Sequence, residues 1–165
     1  MHIDWDNLAK KLGRESQGGT HYAREALSDI LSEEAIIEAV EHYISGETGS
    51  ELARDVLWHI HPKSGMDYCY KIYKEDPDIE RRRLAVELLR VVADDRALRW
   101  AGEFLNDPDP EIQNWGAGLV DQLLFSNLVQ KKDCTELLEI MKNHESKNVR
   151  GTYEFILGYL NKNES

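Results

Sequence analysis

The segment that begins at Asp76 and the segment that begins at Asp107 spell nearly the same pattern. That repetition constrains the fold more than any other feature of the chain. Both open with Asp-Pro-Asp (76–78 and 107–109) and follow with an isoleucine, Ile79 or Ile112. Both place a pair five and six positions later, Leu84-Ala85 or Ala117-Gly118, and close on a leucine pair, Leu88-Leu89 or Leu123-Leu124. Asp-Pro-Asp is helix punctuation: proline cannot continue the preceding helix, and the second aspartate can cap the first turn of the next. A third copy reads Asn148-Val149-Arg150, then Tyr153, Leu157-Gly158 and Leu160. Repetition at this spacing signals stacked helical hairpins, because one helix pair cannot bury its own apolar face.

The rest of the chain reads as helices. Its four prolines all lie between Pro62 and Pro110, and strand-like alternation is absent. Residues 4–12 form a short first helix, with Trp5, Leu8 and Leu12 at helical spacing, and 15–19 a loop. Thr20 starts a second helix with Ala23, Ala26, Leu27, Ile30 and Leu31 on one face. Ser32 caps a third, striped by Ile36, Ile37, Val40, Tyr43 and Ile44 and ended by Gly46. Thr48 with Glu51 forms a capping-box pattern for a fourth that Pro62 stops, and a short fifth covers 65–73. Helices over 77–92, 95–105 and 110–125 follow. Asp133 with Glu136 is a capping box opening a helix through His144, and the last helix spans 148–160 before a fraying tail. This predicts an all-α chain of ten helices in five hairpins.

The second helices of these hairpins can be anchored at Tyr22, Leu52, Ile79, Ile112 and Val149, at intervals of 30, 27, 33 and 37 residues. Uneven spacing of this kind is typical of degenerate solenoids, and the Trp/Gly/Tyr signature of tetratricopeptide repeats is missing. The run Val149-Arg150-x-x-Tyr153-x-x-x-Leu157-Gly158-x-Leu160, with Asp-Pro before the two other copies, resembles the second helix of a HEAT repeat. The likeness is good in the last three hairpins and loose in the first two. It implies a right-handed α-solenoid of about five HEAT-like hairpins over residues 1–165 as one domain, whose surfaces bind other macromolecules.

Composition narrows the partner. A length of 165 residues suits one domain with a real core, and a net charge of −11 with pI near 5.0 argues against gripping nucleic acid through its phosphates. Cys69 and Cys134 stand far apart in no paired motif and read as free thiols of a reducing cytoplasm. No apolar run approaches a membrane span, and no export signal follows Met1.

Catalytic signatures are missing. His59, His61 and Cys69 lack the spacing of a closed zinc site, and His59 reads as a partner of its own helix's C-terminal dipole. Nothing in the neighbouring sequence activates Cys69 as a nucleophile. There is no phosphate-binding glycine loop, Gly-x-Ser-x-Gly or His-Glu-x-x-His, so neither enzyme nor cofactor is expected. HEAT-like DNA-repair glycosylases resemble basic chains. The one basic cluster here, Arg81-Arg82-Arg83, is expected to pair along its own helix with Asp76, Asp78, Glu80 and Glu87.

Charge distribution is the unusual feature. From Glu25 to Ala53 the chain carries eight carboxylates (Glu25, Asp29, Glu33, Glu34, Glu38, Glu41, Glu47, Glu51) and no lysine or arginine. At about 100° per residue, Glu34, Glu38 and Glu41 share one side of the third helix, opposite its apolar stripe. Like charges at i,i+4 cost a few tenths of a kcal/mol per pair, so one lysine would relieve the ridge. Glu51, Asp55 and Trp58 share a face of the fourth helix, opposite Leu52, Val56 and Ile60. Two readings stand side by side for each feature. The ridge is a solvated face or the binding site of a basic protein, and Trp58 packs on the next hairpin or anchors that partner. Trp100 and Trp115 read as core. The expected partner-binding set is Glu25, Asp29, Glu34, Glu38, Glu41, Glu51, Asp55 and Trp58, on a monomer that binds one partner.

A small, acidic, free-standing helical-repeat protein resembles certain bacterial immunity proteins, which neutralise a toxin, often a basic nuclease, by covering its active site. That is the leading functional expectation. An adaptor subunit of a larger assembly is the alternative, and a repair glycosylase is the distant third.

Overall fold

The computed structural model describes residues 4–11 and 20–163, with the side chains of several residues in the first two helices, Tyr22 and Glu25 among them, left outside the description. The loop expected over 15–19 also lies outside the described residues. Every regular element described is helical: α1 Trp5–Lys11, α2 Thr20–Ile30, α3 Glu33–Ser45, α4 Ser50–Ile60, α5 Lys63–Glu75, α6 Ile79–Val92, α7 Leu98–Leu105, α8 Pro110–Phe125, α9 Thr135–Lys142 and α10 Lys147–Asn163. Short 3-10 turns, Asp95–Ala97 and Lys131–Cys134, lead into α7 and α9. The chain divides into two compact units, Met1–Tyr68 and Cys69–Ser165, with the boundary inside α5.

In the first unit α3 packs on α4, and α2 also meets α4. Ser32 caps α3 as expected, its hydroxyl accepting from the Ala35 amide at 3.3 Å. Gly46 ends it in the left-handed region at φ 66°, a conformation glycine adopts without strain. The stripe Ile36, Val40, Tyr43 and Ile44 is buried. Gly65 brings α5 close against this stripe, since a Cβ there would lie 3.0 Å from Ile36 Cγ2 and that side chain would have to shift.

Two expectations fail here. Thr48 does not cap α4. The N-cap is Gly49 at φ 93°, with no side-chain cap bond, and Thr48 instead offers its carbonyl to His42 Nε2 at 3.0 Å. Nor do Leu52 and Val56 line the core. Leu57 and Ile60 are buried, whereas Leu52 is 69% and Val56 41% exposed. Five residues separate Leu52 from Leu57, which turns them about 140° apart on the helix. The apolar arc of α4 is therefore wider than its buried face, and Leu52 is no anchor equivalent to Ile112. The expected face of α2 is likewise left partly open, with Leu27 45% exposed.

In the second unit the tandem pattern works as expected. α7 packs on α8, α9 on α10, and α8 meets both α6 and α10. Ile112, Ala117, Leu119, Val120, Leu123 and Val149 are fully buried. Gly116 lets α7 approach closely, because a Cβ there would meet Phe104 Cβ at 2.7 Å and the Leu105 amide nitrogen at 3.2 Å. Asp78 and Asp109 cap α6 and α8, Asp109 accepting from the Glu111 and Ile112 amides at 3.0 and 3.1 Å. The Asp133–Glu136 box is replaced by a different one. Gln130 and Asp133 cap the 3-10 turn, the Gln130 amide donating to Asp133 Oδ2 at 2.9 Å, and α9 starts only at Thr135. His144 closes the turn after α9: its Nε2 donates to the Leu105 carbonyl at 2.8 Å, and its Nδ1 accepts from the Ser146 amide at 3.0 Å. The tail stays helical through Asn163 rather than fraying at 161.

The arginine cluster pairs mostly beyond its own helix. Arg81 reaches back to Asp76 at 2.8 Å, and Arg82 bonds the Tyr73 carbonyl and Asp107 at 2.9 and 3.1 Å. Arg83 holds Asp109 through two bonds at 3.1 and 2.7 Å while also touching Glu80. Asp107 is buried and additionally accepts from the Tyr73 hydroxyl at 3.0 Å. Consecutive turns are thus cross-linked by charge, each aspartate of the second copy serving the arginines of the first.

Candidate functional site

Ser32 and Gly49 fix where α3 and α4 begin, and the packing of these two helices on each other leaves part of each one's surface open. Glu34 and Glu38 are exposed on α3, about 40° apart. A hydrogen bond with the Ser32 side chain, followed by one to its own backbone, holds the Glu34 carboxyl below the usual glutamate range, so it stays ionised. Glu41 is turned to other work: it is half-buried and accepts from the Tyr68 hydroxyl at 2.7 Å. Asp29 is exposed on α2, and the Glu25 side chain lies outside the described residues.

On α4, Glu51 and Asp55 are exposed and share one guanidinium. Arg54 Nη1 lies 2.6 Å from Glu51, and Nη2 lies 3.7 Å from Asp55. Exposed pairs of this kind contribute little to stability. Trp58 is 45% exposed, its ring centroid 4.8 Å from that of His59. The structure therefore brings Glu51, Asp55 and Trp58 onto the open side of α4, with Glu34 and Glu38 on the open side of α3.

Sequence reasoning missed the apolar part of this surface, because Leu52 and Val56 sit at spacings that normally mark a core face. It also missed two features of the second unit. The Arg90 guanidinium stacks 4.9 Å above Trp115, leaving that indole half-buried rather than core, while Trp100 is buried as expected and stacks on Tyr70 at 4.4 Å. Phe125 and Phe155, both exposed, each meet Tyr159 edge-on at 5.7 Å.

Both cysteines are buried, and burial followed by the nearby Asp133 charge pushes the Cys134 thiol up to about 11, which favours the protonated thiol at neutral pH. Among the described residues, no group of three or more His, Cys, Asp and Glu side chains is placed to hold a metal, and no helix is long and apolar enough to cross a membrane. Compared with models of protein families, with curated proteins and with solved structures, the chain matches none.

Proposed function

We propose that this protein is a non-enzymatic binding module that takes a basic protein partner, one to one, on the exposed faces of α3 and α4. One observation carries the reading. Glu34, Glu38, Glu51 and Asp55 stand exposed in one compact unit with an exposed tryptophan and a single intervening guanidinium. The sequence of Met1–Tyr68 has thirteen carboxylates against six lysines and arginines, net −7, whereas Cys69–Ser165 has eighteen against fourteen, net −4. Clustered charge of one sign steers association with a partner of the other, and a tryptophan beside it supplies contact area that charge alone lacks.

The most specific version is an immunity protein that covers the active site of a basic toxin such as a nuclease, and the second is an adaptor subunit. A toxin domain encoded next to this chain favours the first, a multi-subunit operon the second. The HEAT-like solenoid belongs to the same proposal. In residues 69–165 it is supported by the meeting of α8 with both α6 and α10 and by the aspartate–arginine links between successive turns.

The test is kinetic. Glu34→Gln with Glu38→Gln should leave the melting temperature unchanged or slightly raised, since like-charge repulsion is removed. The same pair should slow association with the partner severalfold at low salt, with the difference shrinking as salt rises. Trp58→Ala should instead speed dissociation by about tenfold. Parent-like association of the glutamine variant would reduce the ridge to a solvated face.

A further inference from the structure

The structure leaves open on α4 two aliphatic side chains whose spacing fits a core. Leu52 and Val56 are one turn apart, exposed, and bordered by Glu51, Asp55 and Trp58 on one side of the helix. At about 100° per residue, Asp55, Glu51 and Trp58 lie roughly 60°, 100° and 120° to one side of Leu52, while the buried Ile60 and Leu57 lie about 80° and 140° to the other. The outward surface of α4 is therefore an apolar seam with an acidic margin. Leaving such a seam in water forgoes the gain that covering each aliphatic side chain would bring. A solvated acidic face has no use for it.

We infer that the element recognised by this surface is an amphipathic basic helix of the partner, laid along α4 with its apolar stripe on Leu52 and Val56 and its lysines and arginines against Glu51 and Asp55. The inference rests on the proposed basic partner and adds to it the shape and pattern of the contacting element. Charge complementarity selects the occupant. A helix with an apolar stripe at i, i+4 and flanking cations matches both components, whereas a basic loop satisfies only the carboxylates. Arg54 bridges Glu51 and Asp55 in the free protein, and an incoming cation takes its place with little net cost, because such exposed pairs are weak.

Two synthetic peptides of identical composition distinguish the possibilities, titrated into the full-length chain with amide chemical shifts as the readout. One carries leucines at heptad a and d positions with lysines at e and g, and the other is a scramble with the same charge. The patterned peptide is expected to bind at least tenfold more tightly and to shift the amides of α4. Leu52→Ser with Val56→Ser should abolish that advantage while leaving the scramble's affinity unchanged, and because both side chains are exposed the variant should fold as the parent does. Equal binding of the two peptides, lost in Glu51→Gln with Asp55→Asn, overturns the helix and leaves the basic partner standing. Failure of both peptides to bind overturns both. If Trp5→Ser with Leu8→Ser tightens peptide binding tenfold, the chain's own first helix is the occupant and the assignment to a partner falls.

Discussion

Asp109 shows how one side chain can serve two structures at once. It caps α8 through the Glu111 and Ile112 amides and receives both arms of Arg83. The Arg83 hydrogen bonds, and secondarily those amides, hold its carboxyl below the ordinary aspartate range despite partial burial; Asp76 is lowered in the same direction by Arg81. A carboxyl that binds its proton less tightly when folded stabilises the fold fully above its unfolded value, near ~4, and progressively less as pH falls through the lower folded value. Asp109→Asn keeps a good capping residue but loses the charge. It should cost about 1–3 kcal/mol at pH 7, and urea denaturation at pH 7 and pH 3 should show the gap between variant and parent closing in acid. A gap that persists at pH 3 would assign the cost to the cap rather than the ion pair. Sequence made the capping role legible because capping is local. That Arg83 reaches Asp109 as well as Glu80 of its own helix was not legible, since Asp109 lies at the start of a different element.

At the scale of elements, α6 and α8 were readable almost to the residue, because Asp-Pro-Asp marks their starts with chemistry that acts within one turn. The first unit was less readable. Leu52 and Val56 obey the spacing of a buried face, and only the packing of α3 on Leu57 and Ile60 decides which part of a wide apolar arc is covered. The two glycines of α8 make a matched test of the second unit. Gly116→Ala drives a methyl into Phe104 Cβ and the α7 backbone and should destabilise by about 1–3 kcal/mol. Gly118→Ala meets only the Arg90 side chain, at Cδ, which can swing aside. It should be near neutral, helped by alanine's better helix propensity. Equal losses in the two melting temperatures would contradict the close approach of α7 to Gly116.

For the molecule as a whole, the unequal sharing of charge predicts opposite responses to salt in the two units. Met1–Tyr68 carries most of the −11, with like charges along α3, whereas Cys69–Ser165 holds the arginine–aspartate links. Raising ionic strength from about 0.01 M to 0.15 M shortens the screening length from roughly 30 Å to 8 Å. Hydrogen exchange should then slow in α3 and α4, where repulsion is relieved, and quicken at the turns around 76–78 and 106–109, where attraction is weakened. A uniform response would mean that the ridge exerts no strain on the free protein. The composition of that ridge also determines which chemistry can see it. Between Glu25 and Ala53 there is no primary amine, so amine-directed cross-linkers will return nothing from α3 however intimate a complex is. Trypsin has no cleavage site between Arg24 and Arg54. A carbodiimide, which joins a carboxylate directly to a neighbour's lysine, would report contacts there on a single acidic peptide spanning 25–54.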